Sequence, residues 1–223
     1  MTAIHIPDVA FSDNASQRTP CVLVLDGSAS MSGEPIRELN RGLGDLEAEL
    51  KNDPVAMSRV RLLIIRVGGH DEVEVISDWC DAIDFKAPAV VANGSTPLGR
   101  GMALALEKIQ HQKTLFDSNG IPSTRPWIFL ISDGQPTDPG WQALASSCRD
   151  AEAAKKVAVF PIGTSDADMS ALAQFSTKPP RQLVGLQFRE LFVWLSRSLQ
   201  AASSAAPGVN IQLPATTGWE DNG

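Results

Sequence analysis

Five oxygen-bearing side chains, spread over three short segments, carry the chemistry that this sequence offers. Asp26, Ser28 and Ser30 stand at alternate positions in Asp26-Gly27-Ser28-Ala29-Ser30, Thr96 falls in Gly94-Ser95-Thr96-Pro97, and Asp133 opens Asp133-Gly134-Gln135-Pro136-Thr137-Asp138. Alternate spacing in a compact loop lets a single turn aim several oxygens at one point. Two carboxylates and three hydroxyls, with no His or Cys among them, make a hard-oxygen set suited to Mg²⁺ or Mn²⁺ rather than zinc. Mg²⁺ takes about six oxygens at near-octahedral angles and keeps waters readily, so five protein oxygens, some acting through water, leave a position for an outside ligand. A cation would also balance two carboxylates that otherwise repel one another.

Taken singly, each segment has an ordinary structural reading. Asp133-Gly134 is a turn dipeptide, Thr96-Pro97 reads as a helix cap followed by Pro at the first position, and Ser30 or Ser32 suits the cap of the next helix. Thr137-Asp138-Pro139 reads as a helix cap rather than a ligand pair. His5, His70 and His111 fall on an extension, a hairpin turn and a helix, where a satisfied or solvated imidazole is expected. The five Trp read as core or surface anchors, with Trp141 placed to border a binding surface after the Asp133 loop. What favours the metal reading is convergence of the three segments on one edge of one sheet.

The elements that must position these segments follow from periodicity. The apolar run 21–25 is a buried strand ending in the Asp26 loop, and Pro35 suits the first turn of a helix striped by Ile36, Leu39, Leu43, Leu46 and Leu50. Strands are expected at 60–67 and 72–77; the link between them is too short for a parallel crossover, so they pair as a hairpin and give an antiparallel edge. Thr96 marks the start of a helical pattern over 98–115, and the strand 127–131 runs into the Asp133 loop. A third helix carries Trp141, Leu144, Ala145 and Cys148, followed by a strand over 157–162, a short helix over 169–175, a weak strand at 183–184 and a helix over 188–199. Continuous apolar strands alternating with amphipathic helices predict an α/β, doubly wound, mostly parallel sheet with one antiparallel edge strand and helices on both faces. Such sheets bind ligands beyond the carboxyl ends of their strands, where strand order reverses, and the loops after 25, before 97 and after 131 belong to that end.

Composition narrows the function classes. The 223 residues, 43% hydrophobic and 20% charged, fit one medium domain over 20–200 with an N-terminal extension over 1–19 and a C-terminal tail over 201–223. A net charge of -7 without a basic patch argues against nucleic acid and against an anionic membrane surface as partners. The longest apolar runs are far shorter than the roughly 20 residues that span a bilayer. The first residues, which include Asp8 and Asp13, lack the basic start and apolar stretch of a secretory signal. Cys21, Cys80 and Cys148 are odd in number and widely spaced, which predicts reduced, mostly buried thiols in a cytoplasmic protein. The Ala-, Ser-, Pro- and Thr-rich stretch 201–217 is expected to be mobile or laid over the surface.

Asp26-Gly27-Ser28-Ala29-Ser30 with Met31, Ser32 and Gly33, then Thr96, then Asp133-Gly134, resembles the von Willebrand factor type A domain. In that family an Asp-x-Ser-x-Ser element, a distant Thr and a distant Asp form the metal-ion-dependent adhesion site (MIDAS). The resemblance covers about 20–200. It is closer to bacterial stand-alone members associated with tellurium resistance, through Gly33-Glu34-Pro35-Ile36, Gly94-Ser95-Thr96-Pro97-Leu98-Gly99 and Ser132-Asp133-Gly134-Gln135-Pro136-Thr137-Asp138. It implies that Ser28 and Ser30 ligate the metal directly, Asp26 and Asp133 directly or through water, and Thr96 according to the state of the domain. A partner protein's Asp or Glu then completes the coordination, in a non-enzymatic scaffold for a stress-response complex, with self-association as one form of it. The alternative is a Mg²⁺-dependent phosphoryl-transfer enzyme with Asp26 as nucleophile, similar to the haloacid dehalogenase group. There a second Asp two residues on acts as acid and base; here that position is Ser28, and no Lys lies in the three segments to neutralise a phosphate. A serine hydrolase has less support, because no Gly-x-Ser-x-Gly elbow and no placed His accompany Ser28 or Ser30.

Overall fold

The computed structural model describes residues 16–70, 72–133, 135–164, 166–205, 213–216 and 218–220. Its strands are β1 (Thr19–Gly27), β2 (Val60–Gly68), β3 (Glu72–Asp81), β4 (Trp127–Ser132), β5 (Ala158–Gly163) and β6 (Arg181–Gln182). They form one sheet in the order β3-β2-β1-β4-β5-β6, parallel throughout except for the β2–β3 hairpin. The expected doubly wound sheet with one antiparallel edge is therefore present. β1, β2 and β4 are buried along their whole length, which is why they read as unbroken apolar runs rather than alternating ones.

Helices α1 (Glu34–Lys51), α2 (Pro54–Arg59), α3 (Leu98–Ser118), α4 (Trp141–Ala153), α5 (Met169–Leu172) and α6 (Phe188–Ser204) cover the two faces. The pleat of β1 divides the core between them. Cys21, Leu23 and Leu25 pack with Leu39, Leu43 and Leu46 of α1 and Phe188, Phe192 and Leu195 of α6. Val22 and Val24 face the other way, onto Met102, Ala105 and Ile109 of α3 and Ala145 and Cys148 of α4. Cys21 and Cys148 are buried, Cys80 is partly so, and all three are free thiols.

Several boundaries differ from the sequence expectation for local reasons. α2 lies inside a stretch without a long apolar period; it is started by Asp53, whose carboxylate accepts the Val55 and Ala56 N–H groups at 2.8 Å each, with Pro54 at its first position. β3 runs on to Asp81, past 77, because Trp79 and Cys80 still find apolar neighbours on the two faces of the sheet. The edge strand β6 sits at 181–182 rather than 183–184. Leu183 instead donates its N–H to Gly163 O and bridges antiparallel to Glu220.

That bridge belongs to the C-terminal segment. α6 continues through Ser204, and the described residues beyond it lie against the domain: Trp219 is fully buried beside Trp194, and Trp194 Nε1 donates to Pro214 O at 2.9 Å. Residues 1–15, with His5, and 206–212, 217 and 221–223 of the tail lie outside the described residues.

The β5 edge is closed by side chains. Where two-residue β6 leaves β5 uncovered, the Val159 N–H donates to Glu152 (3.0 Å), the Val159 carbonyl accepts from the Ser176 hydroxyl (3.2 Å), and Pro161 has no N–H to offer. A strand edge treated this way is a poor template for another chain.

Candidate metal centre

Strand order runs outward from β1 in one direction to β2 and in the other to β4, so the chain leaves the middle of the sheet on opposite sides at the carboxyl ends of β1 and β4. Those two ends carry Asp26 and Asp133. Asp26 is the penultimate residue of β1 and fully buried. Its Oδ1 accepts the Ser28 N–H at 2.8 Å, and its Oδ2 accepts the hydroxyl of Ser132, the last residue of β4. A 3₁₀ turn over Ala29–Met31 follows and brings the serine oxygens round: Ser28 Oγ lies 2.9 Å from Ser30 Oγ, and the Ser30 hydroxyl donates to Asp133 Oδ2. The Asp133 Oδ1 takes the Gln135 N–H at 3.3 Å. Four of the five candidate residues thus form one hydrogen-bonded run across the switch point of the sheet.

The electrostatics of this run suit a cation. Burial pushes the Asp26 carboxyl up from its ordinary value; the Ser132 and Ser28 hydroxyls pull it back, and the charge of Asp133 pushes it up again. Among the described residues, neither Asp26 nor Asp133 has a Lys, Arg or His ion-pair partner. Two carboxylates linked only through neutral hydroxyls leave negative charge uncompensated, and the lone pairs of those hydroxyls are the donors that a hard divalent ion accepts. The residues present therefore fit Mg²⁺ or Mn²⁺. Among the described residues no group of three or more His, Cys, Asp or Glu offers a competing site.

Thr96 approaches from the long connection between β3 and α3 and is only 5% exposed. The segment before it is pinned on both sides. Gly94 O accepts the Ala29 N–H at 3.0 Å, Asn93 N–H donates to Gly27 O at 2.8 Å, and Arg66 Nε donates to Val91 O at 2.7 Å while its Nη2 holds the Asn93 side chain. Gly94 is required here: its φ is +70°, and a Cβ would stand 1.4 Å from Gly69 O. The segment leading to Thr96 is thereby tied to the Ser28–Ser30 turn through Gly94, while the hydrogen bonds of Thr96 itself run to Thr137 and Leu98.

The capping assignments need correction. Thr96 does not cap α3: the cap position is Pro97, which has no side-chain cap bond, and the Thr96 N–H is held instead by Thr137 Oγ1 at 2.9 Å. Nor does Ser30 or Ser32 cap α1, whose cap position is Gly33 at φ 92°. Asp138 is a helix cap, as its type suggests, but for α3 rather than for α4, whose cap position is Gly140. Trp141 stacks on Phe175, 5.7 Å between centroids at 20°, and so belongs to the core margin. The contacts of Ser132 with Asp26, Asn93 with Gly27, Thr137 with Thr96 and Asp138 with the first turn of α3 were missed; the one signal was that Ser132, Thr137 and Asp138 lie close to Asp133 in sequence.

The family model for the von Willebrand factor type A domain matches residues 21–189, which span every element from β1 into the first turn of α6. The chain belongs to the von Willebrand factor type A family. Domains of this family are typically interaction modules rather than enzymes. Solved structures with the same fold include proximal thread matrix protein 1 from the mussel byssus, with a TM-score of 0.56 at 14% identity over 89% of this chain and 50% of that one. A second form of that protein, with a zinc-occupied MIDAS motif, matches with a TM-score of 0.55 at 14% identity over 83% of this chain and 48% of that one. The ArnB paralog VWA2 from Sulfolobus acidocaldarius gives 0.55 at 18% identity over 82% and 45%. This von Willebrand A chain thus spans about half the length of these structures. No curated protein sequence matches it. Among the described residues no helix is long and apolar enough to cross a membrane.

Proposed function

We propose that this von Willebrand A domain is a metal-dependent protein-binding module in which Asp26, Ser28, Ser30, Thr96 and Asp133 hold Mg²⁺ or Mn²⁺ and the metal captures an Asp or Glu of a partner protein. The observation that carries this reading is the hydrogen-bonded run Asp26–Ser28–Ser30–Asp133 at the sheet's switch point, with two carboxylates and, among the described residues, no cationic side chain paired with them. An incoming carboxylate meeting a partly dehydrated cation makes a charge-assisted contact with strict geometry, which gives selectivity to the surrounding rim. The closer resemblance to bacterial tellurium-resistance-associated members supports a cytoplasmic role as scaffold of a stress-response complex, with a second copy of the chain as one candidate partner.

The test is calorimetry on chelator-stripped protein with Mg²⁺, Mn²⁺ and Zn²⁺, for the wild type and Asp26→Ala, followed by partner capture with and without metal. Zinc is included because a MIDAS motif of the same fold carries it in the mussel protein. Metal binding absent from the variant and partner capture abolished by chelator are expected. Partner capture that survives both treatments would refute the mechanism. The phosphoryl-transfer alternative gains nothing from the geometry, since Ser28, which stands where the acid–base Asp would be, has its hydroxyl engaged with Ser30.

A further inference from the structure

We infer that Thr137 and Asp138 are positioning residues of the metal centre, which hold Thr96 and the Asp133 loop as one body from outside the ligand set. The inference rests on the metal-binding reading above. Thr96 sits where the pinned segment 91–95 turns into α3, and that turn has no cap of its own: Pro97 stands at the cap position with φ -77° and ψ 63° and makes no side-chain bond to the helix. Thr137 supplies what is missing. Its Oγ1 accepts the Thr96 N–H at 2.9 Å, and its own N–H donates to Thr96 O at 3.0 Å, so both backbone polar groups of Thr96 are held by one residue.

The next residue secures the helix itself. Asp138 is 2% exposed and accepts the N–H groups of Gly99 (3.2 Å) and Arg100 (2.9 Å) in the first turn of α3, the part of a helix whose amides look outward for acceptors. A carboxylate at that end also meets the positive pole of the helix dipole. The approach is built for: a Cβ on Gly99 would stand 2.6 Å from Asp138 Oδ2 and 2.8 Å from Trp141 Cα. Thr137 and Asp138 follow Asp133 in the same loop. The segment bearing Thr96 and the segment bearing Asp133 are therefore tied to each other, and the Gly94–Ala29 hydrogen bond ties both to the serine turn. Ligands joined beforehand lose little freedom when the ion binds, which is how outer supports raise metal affinity.

The test is Mn²⁺ titration calorimetry on stripped protein, with thermal unfolding in chelator and amide hydrogen exchange on the metal-free form. Thr137→Val and Asp138→Ala are expected to weaken Mn²⁺ binding about 10–100-fold, as removal of outer-shell partners does elsewhere, while Thr137→Ser stays close to wild type. Exchange should quicken at Thr96 in Thr137→Val and at Gly99 and Arg100 in Asp138→Ala. A merely structural role would lower the unfolding temperature in chelator yet leave Mn²⁺ affinity unchanged in the folded variants. If Asp138→Ala fails to fold, the Thr137→Val and Thr137→Ser pair decides. Wild-type affinity in Thr137→Val would overturn the inference and leave the metal reading standing. Failure of the wild type to bind Mn²⁺, Mg²⁺ or Zn²⁺ would overturn the metal reading and the inference with it.

Discussion

Replacing Glu152 by Gln should cost about 2–3 kcal/mol at neutral pH and progressively less in acid. The Glu152 side chain is 3% exposed, and its carboxylate accepts the Val159 N–H on one oxygen and the Thr177 N–H, Thr177 hydroxyl and Ser176 hydroxyl on the other, with the Lys178 ammonium 3.2 Å away. Burial alone raises such a carboxyl, yet the hydrogen bonds from Val159, Thr177 and Ser176 outweigh it and hold Glu152 at about 2, down from 4.5. Because the folded value lies below the unfolded one, the stabilisation is complete above about pH 4.5 and is lost as pH falls through about 2. Gln keeps the shape but turns an NH₂ group toward either the Val159 N–H or the paired donors of 176–177, leaving a buried donor without an acceptor. The assay is urea unfolding of both proteins from pH 7 down to the acid limit of cooperative folding. A stability difference that is flat across that range, or below about 1 kcal/mol at pH 7, would refute the assignment of Glu152 as an ionised structural carboxylate.

Metal should stabilise the folded protein by about 2.7 kcal/mol when supplied at a hundredfold excess over its dissociation constant. The gain, read as a thermal shift, should vanish in Asp26→Asn. Gly94→Ala forces a side chain onto Gly69 O at a backbone φ of +70°, so it should cost more than about 2 kcal/mol in urea unfolding and weaken Mn²⁺ binding as the 91–95 segment shifts. Unchanged binding in a folded Gly94→Ala protein would show that Thr96 is not placed by that segment. Trp219→Ala empties a fully buried site beside Trp194 and should cost about 3–5 kcal/mol; a loss under about 1 kcal/mol by the same assay would mean that the C-terminal segment contributes little to the core.

The layered sheet was legible because each central strand is buried on both faces and so spells an unbroken apolar run, while each long helix shows its stripe. Asp26, Ser28 and Ser30 were legible because their spacing is local. That Asp133 joins them needed the further rule that open sheets gather ligands at strand ends near the reversal of order. What escaped was contact between distant loops: Asp138 caps a helix that begins 40 positions earlier, and a sequence read locally assigns a cap to the helix that follows it. Trp219 escaped for a related reason. A single aromatic just beyond an Ala-, Ser-, Pro- and Thr-rich stretch has no period to reveal that it packs on Trp194 of α6 and accepts the Val184 N–H next to β6.

Two buried carboxylates at opposite ends of the strands have opposite surroundings. Glu152 bonds at the second residue of β5, near the amino-terminal end of the parallel strands, and is saturated with donors and a cation. Asp26 lies at the carboxyl end of β1 with neutral donors only and another carboxylate joined to it through two serines. Saturation closes the first site, since every lone pair that could take a ligand is already used. The second site is left short of positive charge beside a fully buried Asp26, and neutral hydroxyls cannot supply it. Such a deficit is tolerable only if the rest of the domain is stable enough to bear it or if a cation from outside removes it. The ends of parallel strands differ in this way because connecting loops converge above the carboxyl ends at the switch point, where three segments can each contribute an oxygen without any of them needing a charged partner of its own.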